Sequence, residues 1–218
     1  MKKVKSIIEF KDISLRFKSK KIFEKFNFSI KPKQKIVIFG KSGTGKSTFI
    51  NLILGFKQPD SGQIFFNGQE ITSDSIWKIR SQIAYVDQDV MMGEGIVQDV
   101  IDDYFSFTAN VNQKISPVIV KKLLAEFDLD QELLTKEIDH LSGGERQRLA
   151  LVVALLLKRK VMVLDEVTSA LDPISKDLVI KKLLKNKQQT LIIITHDKEW
   201  RQESGVKVFD FKEKKWVQ

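Results

Sequence analysis

A chain of 218 residues with 42% hydrophobic side chains can bury one large core or two small ones. It contains no cysteine, which excludes a disulfide framework and thiolate chemistry. The net charge of +9 sits in residues 1–35, where 12 Lys/Arg stand against 3 Asp/Glu; the rest of the chain holds 25 of each sign. That basic stretch reads as a solvated, lysine-rich surface rather than a face for nucleic acid or anionic lipid. The longest apolar run, residues 149–157, is too short to span a bilayer. Lys2, Lys3 and Lys5 precede only the apolar pair Ile7-Ile8, so no signal peptide is expected and a cytoplasmic chain is.

In chain order, residues 7–17 and 21–30 alternate apolar and polar and predict two half-buried antiparallel strands. Pro32 and Lys33 turn into a short apolar run, 36–39, which predicts a buried strand. Residues 40–47, Gly-Lys-Ser-Gly-Thr-Gly-Lys-Ser, fit G-x-x-x-x-G-K-[ST], and a helical pattern starts at Phe49. Strand, loop and helix together are the context of a phosphate-binding loop. Gly40, Gly43 and Gly45 let the backbone wrap with its N–H groups inward. Lys41, Ser42, Thr44 and Thr48 complete the wrap around a nucleotide. The helix adds its positive N-terminal end. Lys46 then reaches the β- and γ-phosphates, and Ser47 serves as a Mg²⁺ ligand.

Gln58-Pro-Asp-Ser-Gly62 predicts a turn, 63–66 a strand, and Asn67-Gly68 a hairpin turn. Residues 83–86 predict a strand that runs out at Gln88. From 89 to 141 the pattern becomes helical, at 97–107 and at 118–127 behind Pro117. Gly143-Gly144 opens a further helix through Leu157. A fully apolar strand at 161–164 ends in Asp165-Glu166, a helix covers 174–184, and a buried strand at 190–194 ends in Thr195-His196. Residues 206–211 and Trp216-Val217 predict a closing hairpin. Strands alternating with helices argue for a parallel α/β core.

Two further stretches carry chemistry. Asp165 emerges at the carboxyl end of a buried strand, where ligands bind in open α/β sheets, and an Asp there holds Mg²⁺. Glu166 follows and is placed to polarise an attacking water. Two adjacent carboxylates repel, so a cation is expected beside them. The stretch 141–148, Leu-Ser-Gly-Gly-Glu-Arg-Gln-Arg, puts Ser142, Gly143 and Gly144 at a helix N-terminus. That is a second anion site, one more than a single nucleotide needs.

On the phosphate loop, this Leu-Ser-Gly-Gly-Glu signature, Asp165-Glu166, Ser169-Ala-Leu-Asp172 and His196, the chain resembles the nucleotide-binding subunit of an ABC transporter. The resemblance covers essentially the whole chain, in the family's order. It implies an α/β fold: a P-loop NTPase core with a mixed sheet, an N-terminal antiparallel β-subdomain and an inserted α-helical subdomain. The chain is then one nucleotide-binding domain, 1–218, with the helical part at about 89–141 inserted between 1–88 and 142–218. By the same resemblance Phe17 stacks on adenine, Gln88 approaches Mg²⁺ and the water, and His196 contacts the γ-phosphate. Asp172 reaches across a dimer. ATP and Mg²⁺ are the implied cofactors, with ATP held between the phosphate loop of one subunit and Ser142, Gly143 and Gly144 of another.

The implied partners are a second copy, or a homologous ATPase subunit, and a separate permease at the cytoplasmic face of the cell membrane. No nucleic acid is expected. Two departures stand out: Val167 follows the Asp-Glu pair and Asp87 precedes Gln88, where the family usually has Pro, which bears on loop rigidity. The competing class is a soluble ABC-type ATPase acting on DNA or ribosomes. Against it, only about 50 residues separate Gln88 from Ser142, and no sustained heptads appear. A GTPase would need Asn-Lys-x-Asp, whereas Asn186-Lys187 is followed by two Gln. The chain is also similar to small bacterial ATPase subunits linked to metal (iron) export. Finally, residues 81–113 hold no Lys or Arg but six acids, among them Asp87, Asp89 and Glu94, together with Met91-Met92. By the same resemblance the stretch after Gln88 lines the groove that receives a short helix of the permease, and the acids and methionines at 87–103 lead us to expect that helix to be basic and partly apolar.

Overall fold

The computed structural model describes residues 5–217. Two strands, β1 (Ile8–Phe17) and β2 (Lys20–Ile30), form an antiparallel hairpin with Phe17 opposite Lys20. After β3 (Lys35–Phe39) and α1 (Lys46–Ile53), the chain returns through β4 (Ser61–Phe66) and β5 (Gln69–Glu70). These make a four-stranded antiparallel sheet in the order β2-β1-β4-β5. The ladder breaks where Gly62 crosses β1. A side chain at 62 would begin 2.5 Å from the Lys11 and Asp12 carbonyl oxygens, and its φ is +91°, so only glycine fits.

Helix α2 (Ile76–Arg80) leads into β6 (Ile83–Val86). The helical region follows, with α3 (Val97–Ser106), α4 (Pro117–Glu126) and 3-10 turns at Gln131–Thr135 and Ile138–His140. Helix α5 (Gly143–Leu156), β7 (Val161–Asp165), α6 (Pro173–Lys185), β8 (Thr190–Ile194), α7 (Glu199–Gln202), β9 (Val206–Asp210) and β10 (Lys215–Trp216) complete the chain. The second sheet runs β10-β9-β3-β8-β7-β6, parallel except for β10. Its central strands are apolar on both faces because helices and the small sheet cover it.

Register decides where the site forms. Ile194 is level with Ile38 on one side and with Asp165 on the other. The carboxyl ends of β3, β7 and β8 therefore stop at one edge, and the three loops that leave them start side by side. A phenylalanine cluster fixes α1 beneath the small sheet. Phe49 stacks on Phe10 with centroids 4.8 Å apart and meets Phe28 at 5.3 Å and Phe211 at 5.6 Å, edge-on. Each such pair adds about 1 kcal/mol beyond area burial.

The strands match the alternation and the apolar runs closely. Three differences have physical causes. Helix α1 begins at Lys46, three residues before its apolar pattern, because Lys-Ser-Thr forms a polar first turn. Strand β4 begins at Ser61, inside the expected turn, where Gly62 supplies the bulge. Helix α2 has only five residues, too few to show a period in sequence.

Candidate active site

Gly43 and Gly45 adopt φ values of +75° and +104°, the left-handed turns that let the phosphate loop wrap. At Gly40 the fit is tight: a Cβ there would come within 3.3 Å of Phe211 Cβ and Thr44 Oγ1. The loop is exposed at Lys41, Ser42, Gly43 and Ser47, half-buried at Thr44 and Thr48, and tied by the Thr44 hydroxyl, which donates to the Lys41 carbonyl at 2.9 Å. Lys46 is folded back into the wrap. Its Nζ donates to the Gly40 carbonyl at 2.7 Å and the Lys41 carbonyl at 3.2 Å, and lies 3.5 Å from His196 Nε2. Burial lowers the Lys46 pKa, and the carboxylates of Glu166 and Asp165 oppose that shift.

Asp165 ends β7 and Glu166 turns away from it at φ 49°. Burial pushes the Asp165 carboxyl up to about 6; the charges of Asp87 and Glu166 add to this and Lys46 opposes it. Asp87 and Glu166 thus crowd Asp165 beside Lys46, a field that favours an added cation. The donors on offer beside it, the Asp165 carboxylate and the exposed Ser47 hydroxyl, are hard oxygens of the kind Mg²⁺ prefers. Glu166 Oε1 lies 3.2 Å from His196 Nε2, and the His196 backbone N–H donates to Glu166 Oε2 at 3.3 Å. The register of β7 and β8 is what sets this pair face to face. Gln88 is exposed beside them in the chain's path out of β6, its N–H bonded to the Asp87 carboxylate at 2.7 Å.

Phe17 is 59% exposed, so it is no core residue of its strand, and the Lys57 ammonium stands 5.0 Å from its ring centre. Ser142 is the N-cap of α5 and closes a capping box: Glu145 N–H donates to Ser142 Oγ at 3.2 Å, and Glu145 Oε2 accepts from the Ser142 N–H at 2.9 Å and hydroxyl at 2.7 Å. Those bonds hold the Glu145 carboxyl below its usual range. Gly143 is exposed and Gly144 half-buried at the same helix end. The Asp172 carboxylate is engaged at home, accepting from the Ile174 and Ser175 N–H groups as the N-cap of α6; the Ser175 hydroxyl first, and these N–H groups with it, lower its pKa.

The structure therefore joins Lys46, Asp165, Glu166 and His196 at one strand edge. Ser142 makes no bond to any of them: among the described residues, its side chain bonds only Glu145. Val167, in the place of the family's proline, is buried. The methionine pair splits, with Met91 90% exposed and Met92 buried. Sequence reasoning passed over Lys20, whose Nζ donates to the Gly43 carbonyl at 2.9 Å, and Lys57. The one available signal was the hairpin pairing of Lys20 with Phe17. It also passed over Thr168 and Lys176, which bond the Asp197 carboxylate next to His196 at 2.7 and 2.9 Å.

A family model described as ABC transporter matches residues 23–169. The energy-coupling factor transporter ATP-binding protein EcfA1 of Streptococcus pneumoniae is 34% identical over 205 residues, 90% of this chain and 74% of that protein. The probable iron export ATP-binding protein FetA of Escherichia coli is 33% identical, over 82% of this chain and 80% of its own length. Among solved structures, cbiO1 from Clostridium perfringens, part of the ABC transporter complex cbiONQ, superposes with a TM-score of 0.80 at 27% identity, covering 98% of this chain and 87% of that one. A dimeric bacterial ABC transporter cassette superposes at 0.77 over 94% of this chain and 95% of its own; at 22% identity it speaks for the fold alone. The chain belongs to the ABC transporter family, as an ATP-binding subunit with the P-loop fold and the ATPase activity of that family.

Proposed function

We propose that residues 1–218 form one nucleotide-binding domain, with a helical subdomain at about 89–141, that pairs head to tail with a second copy or a homologous subunit around two ATP–Mg²⁺. The observation that carries this is the separation of two anion sites. The phosphate loop and the signature each sit at a helix N-terminus, yet among the described residues Ser142 makes no bond to the loop of its own chain. A nucleotide that uses both must take one from each of two chains.

Within that pair, Lys46 leaves its loop carbonyls for the β- and γ-phosphates and Phe17 supports the adenine. Ser142, Gly143 and Gly144 of the facing copy close over the γ-phosphate, and Asp172 lies at the junction. Glu166 takes the proton of the attacking water while His196 holds the γ-phosphate and orients Glu166. Ser47 and Asp165, with Gln88 nearby, are the residues that would hold Mg²⁺, which when bound supplies charge neutralisation of the phosphates.

The output is a separate transmembrane permease at the cytoplasmic face of the membrane. No helix among the described residues is long and apolar enough to cross a bilayer. The docking place of the permease is a groove of about 270 Å³ beside Gln88, lined by Tyr85, Val90, Met91, Tyr104 and Val153, with Asp87 and Asp89 on its border. This groove is apolar within and acidic at its edge, which fits a basic, partly apolar helix.

The test is complementation. Lys46→Ala and Ser142→Arg subunits are each inactive alone, and a mixed dimer of the two retains one intact composite site. Recovered ATPase activity on mixing supports the pairing. Heterodimers that form and stay inactive overturn it.

A further inference from the structure

We propose that Lys20 is an additional phosphate ligand of this site, one that reads the α-phosphate of the bound nucleotide. The inference rests on the nucleotide reading above and extends it to a residue outside every motif.

Lys20 opens β2 directly opposite Phe17, the base shelf. Its ammonium reaches past that shelf to the phosphate loop and donates to the Gly43 carbonyl at 2.9 Å. Among the described residues it has no carboxylate partner. A strongly hydrated cation therefore rests on a neutral acceptor, in a place where an anion is due. The strand that carries it is seated firmly. Ile22 packs so closely on Gly45 that a Cβ there would begin 2.6 Å from its Cγ2, and Lys214 donates to the Ile22 carbonyl at 2.5 Å.

Order along the site suggests the phosphate. Lys46 and His196 lie together beside Asp165 and Glu166, and Phe17 marks the proposed base end. Lys20 lies between these ends, paired with Phe17 and bonded to the loop at Gly43, so the phosphate nearest the ribose is the one we assign to it. Moving from the Gly43 carbonyl to that phosphate exchanges a neutral hydrogen bond for a charge-assisted one.

The test is equilibrium binding of ATP, ADP, AMP and adenosine to the intact subunit and to Lys20→Gln and Lys20→Arg. Gln keeps a donor for Gly43 but removes the charge. If Lys20 reads the α-phosphate, Gln weakens ATP, ADP and AMP alike by about tenfold, spares adenosine, and flattens the salt dependence of binding; Arg stays within about threefold of the natural protein. Gln binding ATP as well as Lys would reduce the contact to a tie within the loop and overturn the proposal. A loss confined to ATP, or shared by ATP and ADP but not AMP, would move Lys20 to the γ- or β-phosphate and overturn it equally. Failure of the natural protein to bind ATP would instead refute the nucleotide reading itself.

Discussion

The indole N–H of Trp200 donates to the Thr168 hydroxyl at 3.0 Å, and both side chains are wholly buried. Thr168 passes its own proton to Asp197 Oδ2 at 2.7 Å, and Lys176 holds the other oxygen. Thr168 stands two residues past Glu166 and Asp197 one past His196, so this bridge ties together the two loops that carry the Glu166–His196 pair. Thr168→Val keeps the shape and removes both bonds. It should cost about 1–3 kcal/mol in denaturant unfolding, because a buried indole N–H and carboxylate oxygen lose their partner. If the bridge orients the pair, kcat falls while KM for ATP barely moves.

Glu166→Gln preserves the volume beside His196 but removes the carboxylate that the proposed mechanism uses as its base. Turnover should drop by roughly two orders of magnitude or more with ATP binding intact. The variant should accumulate as an ATP-bound dimer, visible by size-exclusion chromatography. Hydrolysis near the natural rate would remove Glu166 from the role.

The groove beside Gln88 predicts a charge effect on assembly. Reversing Asp87, Asp89 and Glu94 to Lys should weaken permease association and its stimulation of the ATPase, most clearly at low salt where screening is least. Basal hydrolysis should fall much less. Unchanged assembly and stimulation at low salt would rule the acidic rim out of docking.

Lys35 gives a pH signature far from the nucleotide. It is buried at the start of β3, with its ammonium on the Asn186 and Gln189 carbonyls at 2.6 and 2.5 Å, and burial lowers its pKa to about 8. Between about 8 and the ordinary value of 10.5 the unfolded chain holds the proton and the folded chain has released it. Stability contributed by this residue therefore rises with pH across that window. Lys35→Met should abolish the rise. The difference between the two proteins from pH 8 to 10, read by urea unfolding, should be on the order of 1 kcal/mol, allowing for partial solvent screening.

The strand edge was legible because apolar runs and motifs are local. Val-Met-Val-Leu before Asp165, and the glycine spacing around Lys46, announce buried strands and a wrapped loop without reference to anything distant. The two lysines at Phe17 were not legible, since Lys20 and Lys57 are two among 37 basic residues and only the hairpin and the β4 return bring them together. The fate of Met91 and Met92 was also hidden. Adjacent residues in an irregular segment carry no period, so nothing in the order of letters says which one faces out. Asp172 shows the opposite difficulty: its motif position drew attention to a partner chain, while its carboxylate first satisfies two N–H groups of its own helix.

The folded-back Lys46 has an energetic consequence. Its ammonium is engaged by the Gly40 and Lys41 carbonyls, so a phosphate that draws it away must break two hydrogen bonds of the loop as it forms its own. Affinity at this loop is then a difference between two sets of bonds, and Lys46→Ala is expected to loosen the wrap itself as well as to remove a phosphate ligand.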